Sequence, residues 1–425
     1  MLIEFLESRK ENDKLIDKLR FALSMKPDAE NLIIRLADIL HRLKRFKDAS
    51  EEYFRAYEVL RQKEKPEQAA AQLQRCLDIN PDDRRALFKL GETLMLLGDQ
   101  RKALQNFKKL AGILLEESLL EEAETVLNKI IEIQPDDINT LTQLADVYNR
   151  LGFENEVVAT YEKINWIYLE KEAFNKVIEI CHQILKIRPE NIPAHENLIY
   201  IYDRTNRRAE AIELWFKMAD IYQRRENLAK EEECYDAILK KDNANVEARR
   251  RRIFLLLKLS QKLAAFKEAR ILSDQYTMRR QPEQAIELYQ KLLETDPDES
   301  PLNIYLLELY KKTNQMAQIV PQIKRLITIY TQRDQMALVA DYYSELIQYE
   351  PKNVEHRNYL IATLLQLDRK PEAMKQSQNL AELHIKEGRL EDAETVFHNM
   401  LGIEPGNQDV YRRIISVNRM REAFD

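Results

Sequence analysis

The residues of this 425-residue chain that could do chemistry are its 6 histidines, its 3 cysteines and its charged side chains. Catalysis needs a nucleophile beside a base, and a zinc site needs ligands at helical spacing. The histidines are scattered, and the two nearest in sequence, His182 and His195, have only Cys181 beside them. The 7 glycines form no phosphate-binding loop. The sequence therefore predicts no catalytic, cofactor-binding or metal-binding residues, no cofactor and no enzyme activity.

Basic residues concentrate in one region. From Ile201 to Arg280 there are 19 Lys and Arg against 13 Asp and Glu, although the formal net charge of the whole chain is -6. Such a region could hold an acidic partner, the acidic end of another copy or a phosphate backbone, and an ordinary solvated charge run is the alternative interpretation. Four consecutive arginines on a helix point in all directions and do not make one bidentate site. The candidate partner-binding residues in this region are Arg204, Arg207, Arg208, Arg249, Arg250 and Arg251.

A short sequence motif recurs along the chain: an apolar helix end, a proline and then acidic residues. The repeated unit that it marks determines where the basic residues lie. Its prolines are Pro27, Pro81, Pro135, Pro189, Pro297, Pro351 and Pro405, with Asn243 in the remaining slot, so the slot numbers rise by 54 each time. A fixed period of this length is typical of stacked supersecondary units. It predicts a single elongated domain over residues 1–425, with a partial repeat at 1–26, seven repeats over 27–404 and a partial repeat or capping helix at 405–425.

Each period is expected to hold three helices. In Pro81–Gln134 we expect the first over about 84–97 and the third over about 119–133, with a longer helix between them. The same apolar columns recur in the other periods, and only Arg252 breaks the first of them, which suggests a loosened or re-registered helix there. The fold class predicted is all-α, an α-solenoid of about 24 helices.

One period resembles a known repeat. The tetratricopeptide repeat pattern of leucine, glycine, tyrosine, alanine and phenylalanine is matched by Leu90, Gly91, Leu94, Ala103 and Phe107. A second copy, ending at Pro135, overlaps the first, so the middle helix serves both. Three helices in each period depart from the usual two-helix unit, which is shorter, at about 34 residues. The resemblance implies a right-handed superhelix of stacked repeats, a concave groove that binds partners, and non-catalytic work.

The resemblance also implies where a partner would bind. The offsets that face the concave groove in this family are occupied by Asn139, Thr142, Asp146, Asn149 and Arg150. This polar row could hydrogen-bond an extended peptide or a partner helix, with a solvated helix face as the alternative. It does not match the lysine and asparagine arrangement of the members that bind chaperone tails. A column of tyrosines, one in each of four consecutive periods, is expected to pack between helices rather than to stack on bases.

Other features indicate the cellular compartment and the helices expected at the two ends of the chain. Cys76, Cys181 and Cys234 lie far apart, so no disulfide is expected and a reducing compartment fits. No apolar run approaches the roughly 18 residues of a membrane span, and the start has no signal-peptide pattern, so a cytoplasmic protein without membrane insertion is expected. Leu2, Ile3 and Leu6 match the end of a second helix, and a final helix with Arg412, Arg413 and Arg419 is expected to be a polar cap.

These observations predict a non-catalytic scaffold or adaptor that binds a peptide or helix of another protein along its concave face. One alternative is a regulator that contacts nucleic acid through the basic cluster. Another is a self-assembling structural repeat protein, joined through the open ends of the solenoid.

Overall fold

The computed structural model describes residues 12–422, which form 23 α-helices and no strand. Helices in the first position of a period are α2 (Glu30–Arg42), α5 (Arg84–Leu96), α8 (Ile138–Leu151), α11 (Ile192–Arg204), α14 (Val246–Lys258), α17 (Ser300–Lys312), α20 (Val354–Gln366) and α23 (Gln408–Glu422). Helices in the second position are α3 (Phe46–Gln62), α6 (Gln100–Glu116), α9 (Glu154–Glu170), α12 (Arg208–Arg224), α15 (Lys262–Met278), α18 (Met316–Gln332) and α21 (Lys370–Lys386). Helices in the third position are α1 (Asn12–Met25), α4 (Pro66–Ile79), α7 (Leu120–Ile133), α10 (Phe174–Ile187), α13 (Leu228–Lys241), α16 (Pro282–Thr295), α19 (Met336–Tyr349) and α22 (Leu390–Ile403).

Every described helix begins 54 residues after its counterpart in the preceding period. All seven second helices have 17 residues, and the third helices have 14. The further helix expected around Leu2, Ile3 and Leu6 lies outside the described residues.

Two kinds of turn separate the helices. First and second helices are followed by a residue with φ between 51° and 79°, and this residue recurs in every period. Those after first helices are Lys44, Gly98, Gly152, Asn206, Ser260, Asn314 and Asp368, and those after second helices are Glu64, Ser118, Glu172, Glu226, Arg280, Asp334 and Gly388. Third helices end instead in an extended residue before the proline slot, as at Asn80 with φ of −130°. Glycine or proline therefore marks only some of the turns.

Side-chain caps fix where several first helices begin. Asp83 accepts a hydrogen bond from the Ala86 N–H at 3.0 Å, and Asn191 accepts one from the Ala194 N–H at 2.8 Å. Asn245, at the same position of the fifth repeat, caps α14 through the backbone N–H of Ala248 at 3.0 Å. Because each cap satisfies an amide that has no partner within the helix, it holds the helix start in register with the period.

The chain divides into two compact units, one up to Met218 and one from Ala219 onward. In the first unit a continuous apolar core extends from Leu15 on α1 to Val147 on α8. In the second unit the largest core extends from Ile253 on α14 to Leu346 on α19. Each unit is an all-α solenoid of stacked helices, which confirms the predicted fold class. The single elongated domain and the right-handed superhelix stay predictions.

Close packing between α5 and α6 depends on a small residue. Phe107 on α6 is fully buried, and its ring lies against Gly91 on α5. A Cβ atom at position 91 would lie 2.5 Å from that ring, which no ordinary contact allows. Gly91 is therefore required by the approach of the aromatic ring.

One expectation about the first helices is wrong. Helix α14 is an unbroken 13-residue helix in register with the others, so Arg252 does not loosen it. The Arg252 guanidinium instead lies 3.3 Å from the Glu268 carboxylate and 3.4 Å from that of Glu232. That the final helix, α23, is a polar cap stays a prediction: Arg412 and Arg419 are exposed as expected, but Tyr411 and Ile415 are also 50% and 53% exposed one turn apart.

We expect Gly91→Ala to lower the free energy of unfolding by about 1 to 3 kcal/mol, because its methyl group overlaps the Phe107 ring. Gly112→Ala is the matched control, since Gly112 also lies inside a helix but has no atom within 4 Å of the added Cβ. Its better helix propensity should raise stability by roughly 0.5 to 1 kcal/mol. Urea unfolding followed by circular dichroism measures both, and equal effects would contradict the packing argument.

Candidate binding groove in the second unit

A groove of about 680 Å³ is present in the second unit, lined by residues of α12 to α16, and we call it the α14 groove. Its acidic lining residues are Asp220, Glu231, Glu247 and Glu287, and its basic ones are Arg250, Arg251, Lys258 and Lys291. Tyr235, Phe254 and Tyr276 add aromatic surface. The groove therefore has balanced charge together with apolar rings.

The groove face of α14 follows from helical spacing. Glu247, Arg250, Arg251, Phe254 and Lys258 lie three or four residues apart and line the groove. The opposite stripe of the same helix is buried and anchors it, with its members at Ala248, Arg249, Ile253 and Leu256. Four consecutive arginines are thus divided between a buried face and a groove face.

The arginines that line the groove are paired within the chain. Arg251 donates from Nη1 to Asp220 Oδ1 and from Nε to Glu247 Oε1, each at 2.7 Å. Arg250 Nη2 donates to Glu247 Oε2 at 2.7 Å. Burial raises the pKa of Glu247, but the hydrogen bond from Arg251 and the charge of Arg250 outweigh it and hold that pKa below its usual value. The hydrogen bond to Glu247 is also the main reason that the pKa of Arg251 is raised.

Glu231 is the unusual member of the groove. It is 3% exposed, Tyr235 donates its hydroxyl hydrogen to Oε1 at 3.2 Å, and Oε2 has no hydrogen-bond partner. Burial raises the pKa of Glu231, against the opposing effects of the Tyr235 hydrogen bond and the Lys258 charge. A buried carboxylate with an unpaired oxygen costs folding free energy.

Arg249 was predicted to contact a partner, and that prediction is wrong. It is 2% exposed, its guanidinium pairs with Glu268, and Nη2 donates to the Asn243 carbonyl at 2.8 Å. The same position in other repeats makes the same bond to the carbonyl of the proline slot: His195 to Pro189, Asn303 to Pro297 and Arg357 to Pro351, at 3.0, 2.9 and 3.2 Å. Arg249 therefore has a structural role.

The other predicted arginines lie in the first unit. The guanidinium of Arg204 lies 5.4 Å from the ring centroid of Tyr200. Arg207 pairs with Glu210 at 2.9 Å and lies over the Tyr202 ring at 4.4 Å. Arg208 begins α12. None of the three lines the α14 groove.

The polar row lies on one helix, α8, and all five of its members are exposed. Thr142 Oγ1 donates to the Ile138 carbonyl at 2.8 Å, and Arg150 Nη2 donates to Ser118 Oγ at 3.1 Å. The structure thus brings Asn139, Asp146 and Asn149 to the same surface as these two residues. Their role as partner contacts stays a prediction.

A counterpart of the α14 groove exists in the first unit. A groove of about 710 Å³ there is lined by Ala69, Glu92, Leu96 and Lys129 among others. These four lie three periods before Glu231, Phe254, Lys258 and Lys291 of the α14 groove. The groove is therefore a property of the repeat, whereas its lining chemistry changes from one repeat to another.

The cysteines and histidines form no common site in the part of the chain described. Cys76, Cys181 and Cys234 are free and buried on three different helices. Burial raises the pKa of Cys76 to about 11 and those of Cys181 and Cys234 to about 12. Within residues 12–422 no three His, Cys, Asp or Glu side chains are grouped to hold a metal ion. None of the 23 described helices is long and apolar enough to span a membrane.

Comparison with known proteins identifies the repeat. A family model described as tetratricopeptide repeat matches residues 58–112, which begin in α3 and end in α6 and so span about one period. No curated protein matches the chain.

Three solved structures align with the chain at low identity. MamA is 17% identical over 41% of this chain and 98% of its own, with a TM-score of 0.17. Naa15/Naa10 bound to HypK-THB is 10% identical over 99% and 96%, and the Cut9–Hcn1 hetero-tetramer of APC/C is 12% identical over 95% and 96%, each with a TM-score of 0.20. Scores this low define neither fold nor function for this chain.

The period over residues 58–112 matches the tetratricopeptide repeat, and helices at the same spacing recur along the rest of the described residues, so the chain is similar to tetratricopeptide repeat proteins. Proteins built from such repeats are in general interaction scaffolds without catalytic activity. The repeats of this chain therefore support, in general terms, a role in protein interaction, with other proteins as partners.

Arg249→Ala should lower the free energy of unfolding by about 1.5 to 3 kcal/mol, because it takes from Glu268 one of its two arginine partners and from the Asn243 carbonyl one of its two donors. Arg250→Ala, the neighbouring control, should change it by less than about 0.5 kcal/mol, because Arg250 is half exposed and pairs only within its own helix face. Chemical unfolding of both variants decides the matter. Similar small losses would mean that Arg249 is an ordinary surface arginine.

Glu231→Gln should unfold at a higher temperature than the wild type at neutral pH. The raised pKa means that the folded chain holds this proton more tightly than the unfolded chain. The stability contributed by protonation is complete below the unfolded pKa and is lost as pH rises through the folded pKa, and Gln avoids that loss. The difference in Tm between Glu231→Gln and the wild type should therefore become smaller as pH falls toward 4.5. A lower Tm for the variant at neutral pH would contradict this reasoning.

Proposed function

We propose that the chain is a non-catalytic scaffold that holds a segment of a partner protein in the α14 groove. The observation that carries this proposal is the groove face of α14, which presents Arg250, Phe254 and Lys258 at helical spacing. Pockets that bind ligands in proteins commonly have volumes of about 300 to 1,000 Å³, and about 680 Å³ lies within that range.

The lining chemistry favours a peptide segment. Four acidic and four basic side chains leave the groove without net formal charge, so neither a polyanion nor a polycation is preferred. Aromatic and apolar surface from Phe254, Tyr276 and Leu288 can cover the side chains of a bound segment. A helix or an extended peptide offers such side chains together with main-chain groups that pair with the polar lining.

The internal pairing of the arginines weighs against nucleic acid as the partner. Binding to a phosphate backbone depends on cations that can neutralise phosphates. Arg250 and Arg251 are instead paired with Glu247 and Asp220, and Arg249 is buried. A nucleic acid would have to displace these carboxylates before the arginines could contact it.

The polar row on α8 is proposed as a second contact, independent of the first. Its five exposed members offer amide, hydroxyl, carboxylate and guanidinium groups on one helix surface. Such a surface would add selectivity for a long partner, since modest contacts along a solenoid sum to useful affinity.

Self-association is a second candidate function, favoured by the exposed Tyr411 and Ile415 on α23. Two large apolar side chains one turn apart are suited to packing against a helix of another copy. Light scattering across a range of concentrations separates this candidate from the first, because a mass that stays that of a monomer would exclude it.

Charge reversal tests the α14 groove directly. Lys258→Glu changes an exposed lining residue, and Lys267→Glu is the matched control on the exposed part of α15, outside the groove. We expect partner proteins recovered from nuclease-treated lysate to be retained by the wild type and by Lys267→Glu, and to be reduced at least about tenfold by Lys258→Glu. Equal recovery by the two variants would show that the groove is not the partner site, and material lost after nuclease treatment would favour nucleic acid.

A further inference from the structure

We propose that Glu231 determines which partner the α14 groove accepts, by taking a hydrogen bond from an N–H donor of the bound peptide segment. The donor is either a neutral amide or a cationic ammonium or guanidinium group. This inference rests on the proposed function of the groove and adds the chemistry that the partner must present.

The internal repeat supplies the first argument, because it shows which residue the fold needs at this position. In the seven other described third helices the equivalent residues are Leu15, Ala69, Ala123, Val177, Ala285, Val339 and Ala393, all of them buried and apolar. Glu231 is buried at the same position although it is an acid. The solenoid therefore folds with an apolar residue here, and the packing does not explain a carboxylate.

The groove itself supplies the second argument. Tyr235, one helical turn further along α13, donates to Glu231 Oε1 at 3.2 Å and fixes the orientation of the carboxylate. Oε2 has no hydrogen-bond partner among the described residues. The side chain nevertheless lines a groove of about 680 Å³ instead of a closed core. An acceptor is thus held in place beside space for a ligand.

The charges that face Glu231 decide what can satisfy it. Asp220 on α12 repels it, while Arg251 and Lys258 on α14 attract it without bonding to Oε2. Arg251 is occupied by Asp220 and Glu247 at 2.7 Å. An ionised carboxylate only accepts hydrogen bonds, so the partner must donate. An amide fits Glu231 and also offers its carbonyl to Lys258, whereas a cationic group fits Glu231 alone.

The cost of the unbound state supports a binding role. An unpaired buried acceptor lowers stability in the free protein, and a bound donor removes that penalty. Groups whose environment is unfavourable to the fold are commonly retained at functional sites. Glu231 has this character, because the same fold accepts alanine at the corresponding position of other repeats without any polar requirement.

A display experiment on the full chain provides the test. Random dodecapeptides on phage are selected on the wild-type chain, and synthetic copies are titrated by fluorescence polarisation against wild type, Lys258→Glu, Lys267→Glu, Glu231→Ala and Glu231→Gln. Peptides that use the groove are those weakened by Lys258→Glu and not by Lys267→Glu. We expect these peptides to bind Glu231→Ala at least about tenfold more weakly, the loss that a hydrogen bond to a charged group produces.

The glutamine variant separates the two kinds of donor. A peptide that donates from an amide should keep most of its affinity for Glu231→Gln, whose side-chain oxygen still accepts, whereas a cationic donor should lose about as much as with alanine. Replacing the donor residue of the peptide by norleucine should remove the difference between wild type and Glu231→Ala.

The outcomes distinguish this inference from the proposed function. Groove-dependent peptides that bind Glu231→Ala as tightly as wild type would overturn the role of Glu231 and leave the groove as the partner site. A selection in which no peptide separates Lys258→Glu from Lys267→Glu would contradict both. Loss of helical circular dichroism in Glu231→Ala would show that the carboxylate is structural, which also overturns the inference.

Discussion

Within each of the two units, the described helices bury their apolar stripes against neighbouring helices, and the rest of the structure depends on this nearest-neighbour packing. The contact between Gly91 and Phe107 shows how closely the helices pack, because the Phe107 ring occupies the space that a side chain at position 91 would need. Because neighbouring helices must fit together in every period, helix lengths and turn conformations are repeated at a fixed interval along the described chain.

Packing of this kind lets one repeat differ from the others. In a solenoid the stability is approximately a sum of repeat and interface contributions, so a local cost does not unfold the whole chain. The fifth repeat and the helix before it bear such a cost, because Arg249, Arg252 and Glu231 are charged residues that the packing of the helices buries or half-buries. Two of these form ion pairs with Glu268, although the Nε atom of each has no hydrogen-bond partner, and Glu231 keeps one carboxylate oxygen without a partner. The unpaired carboxylate oxygen of Glu231 is the difference that helix packing does not explain.

The fold could be predicted from the sequence because its signals are periodic. The expected spans of about 84–97 and 119–133 agree with α5 and α7 to within one residue at each end. The turns were harder to predict from the sequence, because a residue with positive φ such as Glu172 or Arg280 is not a glycine. What marks those turns is their fixed distance from the proline slot, which only the repeat as a whole reveals.

The site was predicted less well, for a physical reason. Arg249 looked like one member of a basic surface, yet its long side chain reaches a carbonyl six residues back and a carboxylate 19 residues ahead. Hydrophobic periodicity records whether a position is buried and does not record which acceptors surround it. Glu231 was missed although its signal is present in the sequence, because it is the one acid in a column that is otherwise apolar.

Native-state hydrogen exchange would test the central claim, that the region around α14 gives up stability for a polar groove. The chain contains its own reference, since α4 and α5 occupy the same positions three periods earlier with Ala69 in place of Glu231. The account predicts that amides in α13 and α14 open with a lower free energy than those in α4 and α5. Equal or slower exchange in α13 and α14 would contradict it, because the buried charges would then carry no local cost.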